Sequence, residues 1–235
     1  MTVPPLEPPL EPSGVPLTVL ILAKAPEPGR SKTRLAPVFG VEGAARLAAA
    51  ALADTLAAVR ATPGVRPVLV LDGVLSPSTC PELAELAELV GLVDGLDVVP
   101  QVSGTHAVRI AAAFDAATGP ALLIGMDTPQ VTPALLALDL AGPNDAWLGL
   151  AEDGGWWALG LRDPRVAGPA LDAVPMSTPD TGRLQLARLR ALGLQVADLP
   201  VLRDVDHPQD AEAVAALAPA SRFAAQFRAL RSIVA

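Results

Sequence analysis

The chain reads as one α/β domain, three layers deep, with a mostly parallel central sheet covered by helices on both faces. Three observations predict it. Apolar runs of strand length alternate with helical patterns from residue 17 onward. Several of those runs are continuous rather than alternating, as strands buried on both faces are. The 235 residues, 51% hydrophobic and only 18% charged, are enough for one sizeable core and exclude a disordered chain.

The elements follow in order. Residues 1–16 hold Pro4, Pro5, Pro8, Pro9, Pro12 and Pro16 and predict an extended, mobile tail, which leaves residues 17–235 as the domain. Leu17–Ala23 is a doubly buried strand, Glu42–Arg60 an alanine-rich helix, Pro67–Leu71 a strand and Pro81–Val90 a helix. Asp97–Val99 is a short strand, Thr105–Ala117 a helix, Pro120–Gly125 a strand and Pro133–Leu140 a helix. Ala146–Ala151 and Trp156–Leu161 read as paired strands around Glu152-Asp-Gly-Gly155. Thr181–Leu192 is a helix, Gln195–Leu199 a strand, and Pro208–Leu217 and Phe223–Ile233 are helices. The stripe of Phe223, Phe227 and Leu230 can cover its own core or a second subunit, so the oligomeric state stays open.

The net charge of -8 argues against wrapping nucleic acid but leaves room for a small anion on a local basic patch. The N-terminus has no basic region followed by an apolar one, and Pro16 interrupts Val15–Ala23, so neither a signal peptide nor a membrane span is expected. One cysteine, Cys80, cannot form an internal disulfide, and a cytoplasmic location is the simpler expectation.

In parallel α/β sheets ligands bind beyond the carboxyl ends of the strands. Lys24, Asp127 and Asp153 each fall just past a strand-like run. The segment Ala23-Lys-Ala-Pro-Glu-Pro-Gly-Arg-Ser-Lys-Thr-Arg-Leu35 sets Lys24, Arg30, Lys32 and Arg34 against one acid, Glu27. Lys24 and Lys32 are the only lysines of the chain. Lysine meets phosphate as a compact point charge and arginine grips two oxygens at once, so the loop is expected to hold a nucleotide's phosphates. Gly29 lets the backbone turn and approach a ligand. The segment is not a P-loop, because it lacks that motif's order of residues.

Asp127, in Ile124-Gly-Met-Asp-Thr-Pro129, is either an Asx-turn or a carboxylate for magnesium, which binds through one or two carboxylates plus substrate phosphates. Asp206, in Arg203-Asp-Val-Asp-His-Pro208, is either the cap of the next helix or a second metal carboxylate. Asp153, Gly154 and Gly155 form either a tight hairpin or a close approach to the donor, with Asp153 holding acceptor or sugar hydroxyls. Of Trp156 and Trp157, one is expected in the core and the other at the pocket floor. His106 and His207 read as structural rather than functional.

These motifs resemble the glycosyltransferase-A-like family of rSAM/selenodomain-associated transferases, within the nucleotide-diphospho-sugar transferase superfamily. The resemblance spans residues 17–217. It is carried by Ala23–Leu35, Gly125-Met-Asp-Thr-Pro129, Leu150-Ala-Glu-Asp-Gly-Gly-Trp156, Met176-Ser-Thr-Pro179 and Leu202-Arg-Asp-Val-Asp-His-Pro208. It implies a GT-A-like (Rossmann-like) fold with Asp127 as the metal-binding aspartate. The Lys32-Thr-Arg-Leu35 run also looks like that of phospholactate and phosphoenolpyruvate guanylyltransferases, in which the basic loop faces the phosphates. Asp206 matches a second metal position of related nucleotidyltransferases. The chain departs from the family at Met126 and Thr128, and after Gln101, where it runs Val-Ser-Gly-Thr-His106. Those departures bear on the acceptor rather than on the fold.

The expectation is therefore a transferase using magnesium or manganese and a nucleotide-activated donor. The favoured reaction is nucleotidyl transfer from a nucleoside triphosphate to a small phosphorylated acceptor, releasing pyrophosphate. Lys24, Arg34 and Asp127 would be catalytic, and Gly29, Arg30 and Lys32 would hold the donor. The alternatives are glycosyl transfer from a nucleotide sugar and non-catalytic nucleotide binding.

Overall fold

Strand β1, Leu17–Lys24, is buried on both faces, as its unbroken apolar run predicts. Val19, Ile21 and Ala23 join one apolar cluster, while Leu20 and Leu22 join another. In the computed structural model, which describes residues 15–75 and 84–234, β1 is the middle of the parallel half of the sheet. Most of the proline-rich tail, Cys80 and the first three residues of the helix expected at 81–90 lie outside the described residues.

Among the described residues the sheet has seven strands, in the order β3-β2-β1-β4-β6-β5-β7. On one side of β1 lie β2 (Val65–Asp72) and then β3 (Asp97–Pro100), all parallel. On its other side lies β4 (Ala121–Gly125), also parallel. Then β6 (Trp156–Leu161) runs antiparallel to both β4 and β5 (Ala146–Ala151), and β7 (Val196–Leu202) pairs parallel with β5. The chain leaves β1 in one direction across the sheet and returns on the other side. The carboxyl ends of β1 and β4 therefore face the crevice where strand order reverses, the usual ligand position in open α/β sheets.

Helices α1 (Ala36–Arg60), α2 (Ala84–Val93) and α4 (Pro133–Leu136) cover the first face. Helices α3 (His106–Ala113), α5 (Ala167–Leu171) and α6 (Thr181–Ala191) cover the second. A further layer, α7 (Pro208–Leu217) and α8 (Arg222–Val234), packs on the outer side of α1. Phe223, Phe227 and Leu230 are buried there, with Phe227 edge-on to Phe39 at 5.8 Å, so the stripe covers the chain's own core. Sandwiched between the sheet and α8, α1 is apolar on nearly every side; its length and composition match a membrane span, but most of it is buried in the domain. Its run of alanines lets both neighbours approach closely.

Two expected helices are shorter than their apolar patterns. The helix expected over 133–140 is one turn, because Asp139 Oδ1 accepts from the backbone of Ala141 (3.0 Å) and Gly142 (3.1 Å) and so holds a turn instead. The helix expected over 105–117 ends at Ala113 and finishes in a 3-10 turn at Phe114–Ala116. The short α5 was not legible, since its five residues include Gly168 and Pro169 and show no period.

Candidate functional site

The loop after β1 is a self-bonded turn. Ala25 N–H continues the β2 ladder to Asp72 O at 2.8 Å, and Ser31 Oγ donates to Ala25 O at 2.7 Å. Arg30 and Ser31 both donate backbone N–H to Glu27 O. Gly29 sits at φ +76° with open space where a side chain would be, so the turn itself requires glycine there. Lys32 is left-handed at φ 48°, a conformation that non-glycine residues adopt rarely. Its side chain runs inward, with only 10% of it exposed.

Lys32 Nζ lies 2.8 Å from Asp127 Oδ1 and 3.3 Å from Asp206 Oδ1, and donates to Val205 O. Burial alone would lower its pKa, but the Asp127 and Asp206 carboxylates outweigh that, and the net shift is upward. Arg34 Nη1 reaches Asp206 Oδ2 at 2.7 Å, and Arg30 Nη1 reaches Glu27 Oε2 at 2.6 Å. The two aspartates meet because the segments bearing them are stapled: Val205 N–H donates to Asp127 O (2.9 Å), and Gln130 Nε2 donates to Arg203 O (2.6 Å). Asp206 is not the helix cap; His207 occupies that position, and its N–H donates to Asp210 Oδ2 at 2.8 Å. Asp127 likewise spends its carboxylate on Lys32 rather than on the turn before Pro129.

Two clefts open from this ridge. The first, about 430 Å³, is lined by Lys24, Arg30, Lys32 and Arg34, with Asp72, Gln101 and Arg109 at its far side. Gln101 fixes that side by donating to Ala23 O (2.7 Å) and Val70 O (3.1 Å), and it accepts from Arg109 Nη1 at 3.1 Å. The second, about 440 Å³, is lined by Asp153, Asp204, Trp156, Thr128 and the loop 176–179. Arg34, Asp127, Asp206 and His106 line both. All the basic-loop and aspartate residues named from the sequence thus converge, except that Gly29 and Gly154 serve backbone geometry rather than a cleft wall.

Asp153 is both turn and wall. Its Oδ1 accepts from Gly155 N–H at 2.7 Å while the residue lines the second cleft. Gly154, at φ +90°, lies so close to Pro179 that an added Cβ would stand 2.0 Å from its carbonyl oxygen. Gly182 N–H donates to Gly154 O at 2.8 Å, which fastens the turn to the start of α6. Trp157 is buried and donates to Pro200 O at 2.9 Å, Trp156 lies on the opposite face, and both are among the residues lining the second cleft.

Asp204, Gln101 and Arg109 were not legible as cleft residues in the sequence, and His106, which read as structural there, lines both clefts. Burial, then the charges of Asp153 and Asp206, push the Asp204 carboxyl up to about 6. Desolvation of its ring, then the Arg109 charge, hold His106 below its ordinary value. Gln101 comes directly after the end of β3, as Lys24 ends β1, and His106 and Arg109 stand on α3, which follows.

The protein family described as "uncharacterized protein conserved in bacteria (DUF2064)" matches residues 55–178. The chain belongs to this family. The DUF2064 match takes in Asp127, the 153–155 turn and the loop 176–178, while the basic loop and Asp206 lie outside it. No curated protein matches in sequence. In fold the chain is similar to a candidate nucleotide-diphospho-sugar transferase from Desulfovibrio desulfuricans, with TM-score 0.78 and 24% identity over 92% of this chain and 96% of that one. It is also similar to the 4-diphosphocytidyl-2C-methyl-D-erythritol synthase of Anaerococcus prevotii (TM-score 0.53, 11% identity, 86% and 96% covered). A third similar structure is CMP:2-keto-3-deoxy-manno-octonic acid synthetase complexed with CTP (TM-score 0.51, 13% identity, 87% and 99% covered). At these identities the likeness establishes the α/β fold.

Proposed function

We propose that this protein is a transferase that holds the phosphates of a nucleotide-activated donor in the first cleft and passes part of that donor to an acceptor in the second. One observation carries the reading: a basic cleft and an acidic cleft share a single ridge, built by Lys32, Arg34, Asp127 and Asp206. Kinship with the rSAM/selenodomain-associated transferase type, drawn from the motifs, belongs to the same proposal.

The favoured reaction is nucleotidyl transfer. An acceptor oxygen forms a bond to the α-phosphorus of a nucleoside triphosphate, the bond from the α-phosphorus to the β-bridging oxygen breaks, and pyrophosphate leaves. Lys24, Arg30 and Arg34 meet the charge that develops on the leaving group. Lys32 acts from beneath, holding the two carboxylates together. The fold likeness to a synthetase complexed with CTP supports this choice. Glycosyl transfer is the second reading, favoured by the carboxylates of Asp153 and Asp204, which suit sugar hydroxyls.

Asp127 and Asp206 fit a divalent ion, because Lys32 draws the two carboxylates together through one oxygen of each while their side chains stay 41% and 35% exposed. Among the described residues no three metal-binding side chains cluster, so the donor's phosphates would complete the ligand set. Magnesium or manganese held there would draw charge from the phosphate being attacked.

The test incubates the protein and magnesium with each nucleoside triphosphate, or each nucleotide sugar, and an acceptor panel. Pyrophosphate release supports nucleotidyl transfer, and nucleoside diphosphate release supports glycosyl transfer. Tight nucleotide binding with neither product under any pairing overturns catalysis in favour of a binding protein.

A further inference from the structure

The second cleft carries a chemical signature of its own. Its lining holds Asp127, Asp153, Asp204 and Asp206, against Arg34 and His106. Arg34 is already committed to Asp206, and Asp127 to Lys32. Asp153 and Asp204 have no ion-pair partner among the described residues; the neighbouring Arg203 turns away to Glu152 and Asp210.

Two buried polar atoms point to a ligand independently of the charges. Thr128 is 1% exposed and lines the cleft, yet among the described residues its Oγ1 has no hydrogen-bond partner. Trp156 also lines it, and its indole N–H has none either. Buried polar side-chain atoms are nearly always paired in native proteins, so two unpaired ones on a single cleft await a bound group. Ile110, Met176 and the Trp156 ring give the same cleft an apolar side. The wall is rigid as well, with Ser177 left-handed at φ 60° and Gly154 pressed on Pro179.

We propose that the second cleft selects an acceptor rich in hydroxyl or amino groups, with one apolar face, that bears no phosphate or carboxylate. The acceptor's donors would meet Asp153 and Asp204, and its carbon face would lie on the Trp156 ring. An anionic acceptor would instead meet two uncompensated carboxylates, a like-charge juxtaposition that costs affinity. This replaces the phosphorylated acceptor expected from the sequence. It rests on the donor's phosphates occupying the first cleft.

The experiment is isothermal titration of the intact protein with a matched panel of hexoses, hexosamines, hexuronates and hexose phosphates, with magnesium and inorganic pyrophosphate present. At least one neutral or amino member binds, and its acidic or phosphorylated counterpart binds weaker by about tenfold or more. In the Asp153→Asn/Asp204→Asn double variant, where asparagine keeps the acceptor for Gly155 N–H, that gap shrinks to about threefold or less. The proposal is overturned if the acids or phosphates bind best, if no neutral or amino member binds, or if the double variant keeps the full gap. Failure of the first-cleft reading shows separately: pyrophosphate with magnesium then gives no heat, or gives the same heat with Lys24→Ala.

Discussion

The Lys32 ammonium stands 2.8 Å from Asp127 Oδ1 with only 10% of its side chain exposed, and it holds Asp206 on its other side. Removing it leaves two carboxylates face to face. Lys32→Met is therefore expected to lower stability by about 1–3 kcal/mol, less than a fully buried pair because both aspartates are partly solvated. Chemical denaturation in chelator measures this, and added magnesium should recover part of the loss. A variant as stable as the parent in chelator would refute the pairing.

Asp204 gives a pH dependence. Its folded pKa of about 6 lies above the ordinary 3.8, so its favourable contribution is complete below 3.8 and is lost as pH rises through 6. At pH 7 the charged carboxylate costs stability. Asp204→Asn should raise the unfolding free energy at pH 7–8 in chelator by on the order of 1–2 kcal/mol after solvent screening, and the gain should vanish near pH 4. A gain that grows on acidification has the wrong sign.

Gly154→Ala should be costly on two counts, the positive φ of +90° and a Cβ 2.0 Å from Pro179 O. The expected loss is about 2–4 kcal/mol. Urea unfolding reads it, and the same substitution at Gly193, also at positive φ but with open space around it, is the control that isolates the clash.

Asp54 accepts the first N–H groups of α8, Arg222 N at 3.1 Å and Phe223 N at 2.8 Å. Asp54→Ala leaves the buried Phe223 N–H unpaired and should cost about 1–3 kcal/mol. Limited proteolysis should then cut within α8 before the rest of the domain; uniform cleavage kinetics would argue against a local anchor.

The fold was legible because its strands are continuous apolar runs and its helices long and periodic; Leu17–Ala23 and Pro208–Leu217 show this most directly. The helix expected over 133–140 failed because Asp139 competes for the backbone, a local bond that hydrophobic periodicity does not see. Within the site, Lys24 and Asp127 were legible from their places at the end of one buried strand and just past another. The role of Lys32 was not. Charge and loop position point it outward at phosphate, whereas its side chain is buried against carboxylates from two distant segments. Asp204 escaped notice beside Asp206, because only the folded chain tells which of the two faces Lys32.

The position of α1 also bears on how the chain is made. Its inner face can settle on the sheet early, but its outer face is covered by α8, whose anchor at Arg222 lies 168 residues beyond Asp54. At ribosomal speeds of roughly 5–20 residues per second, that leaves a long apolar helix half-covered for about ten seconds or more. During that interval α1 presents to the cell the surface of a membrane segment or a chaperone client, and the nascent chain is most open to capture or aggregation before α8 emerges.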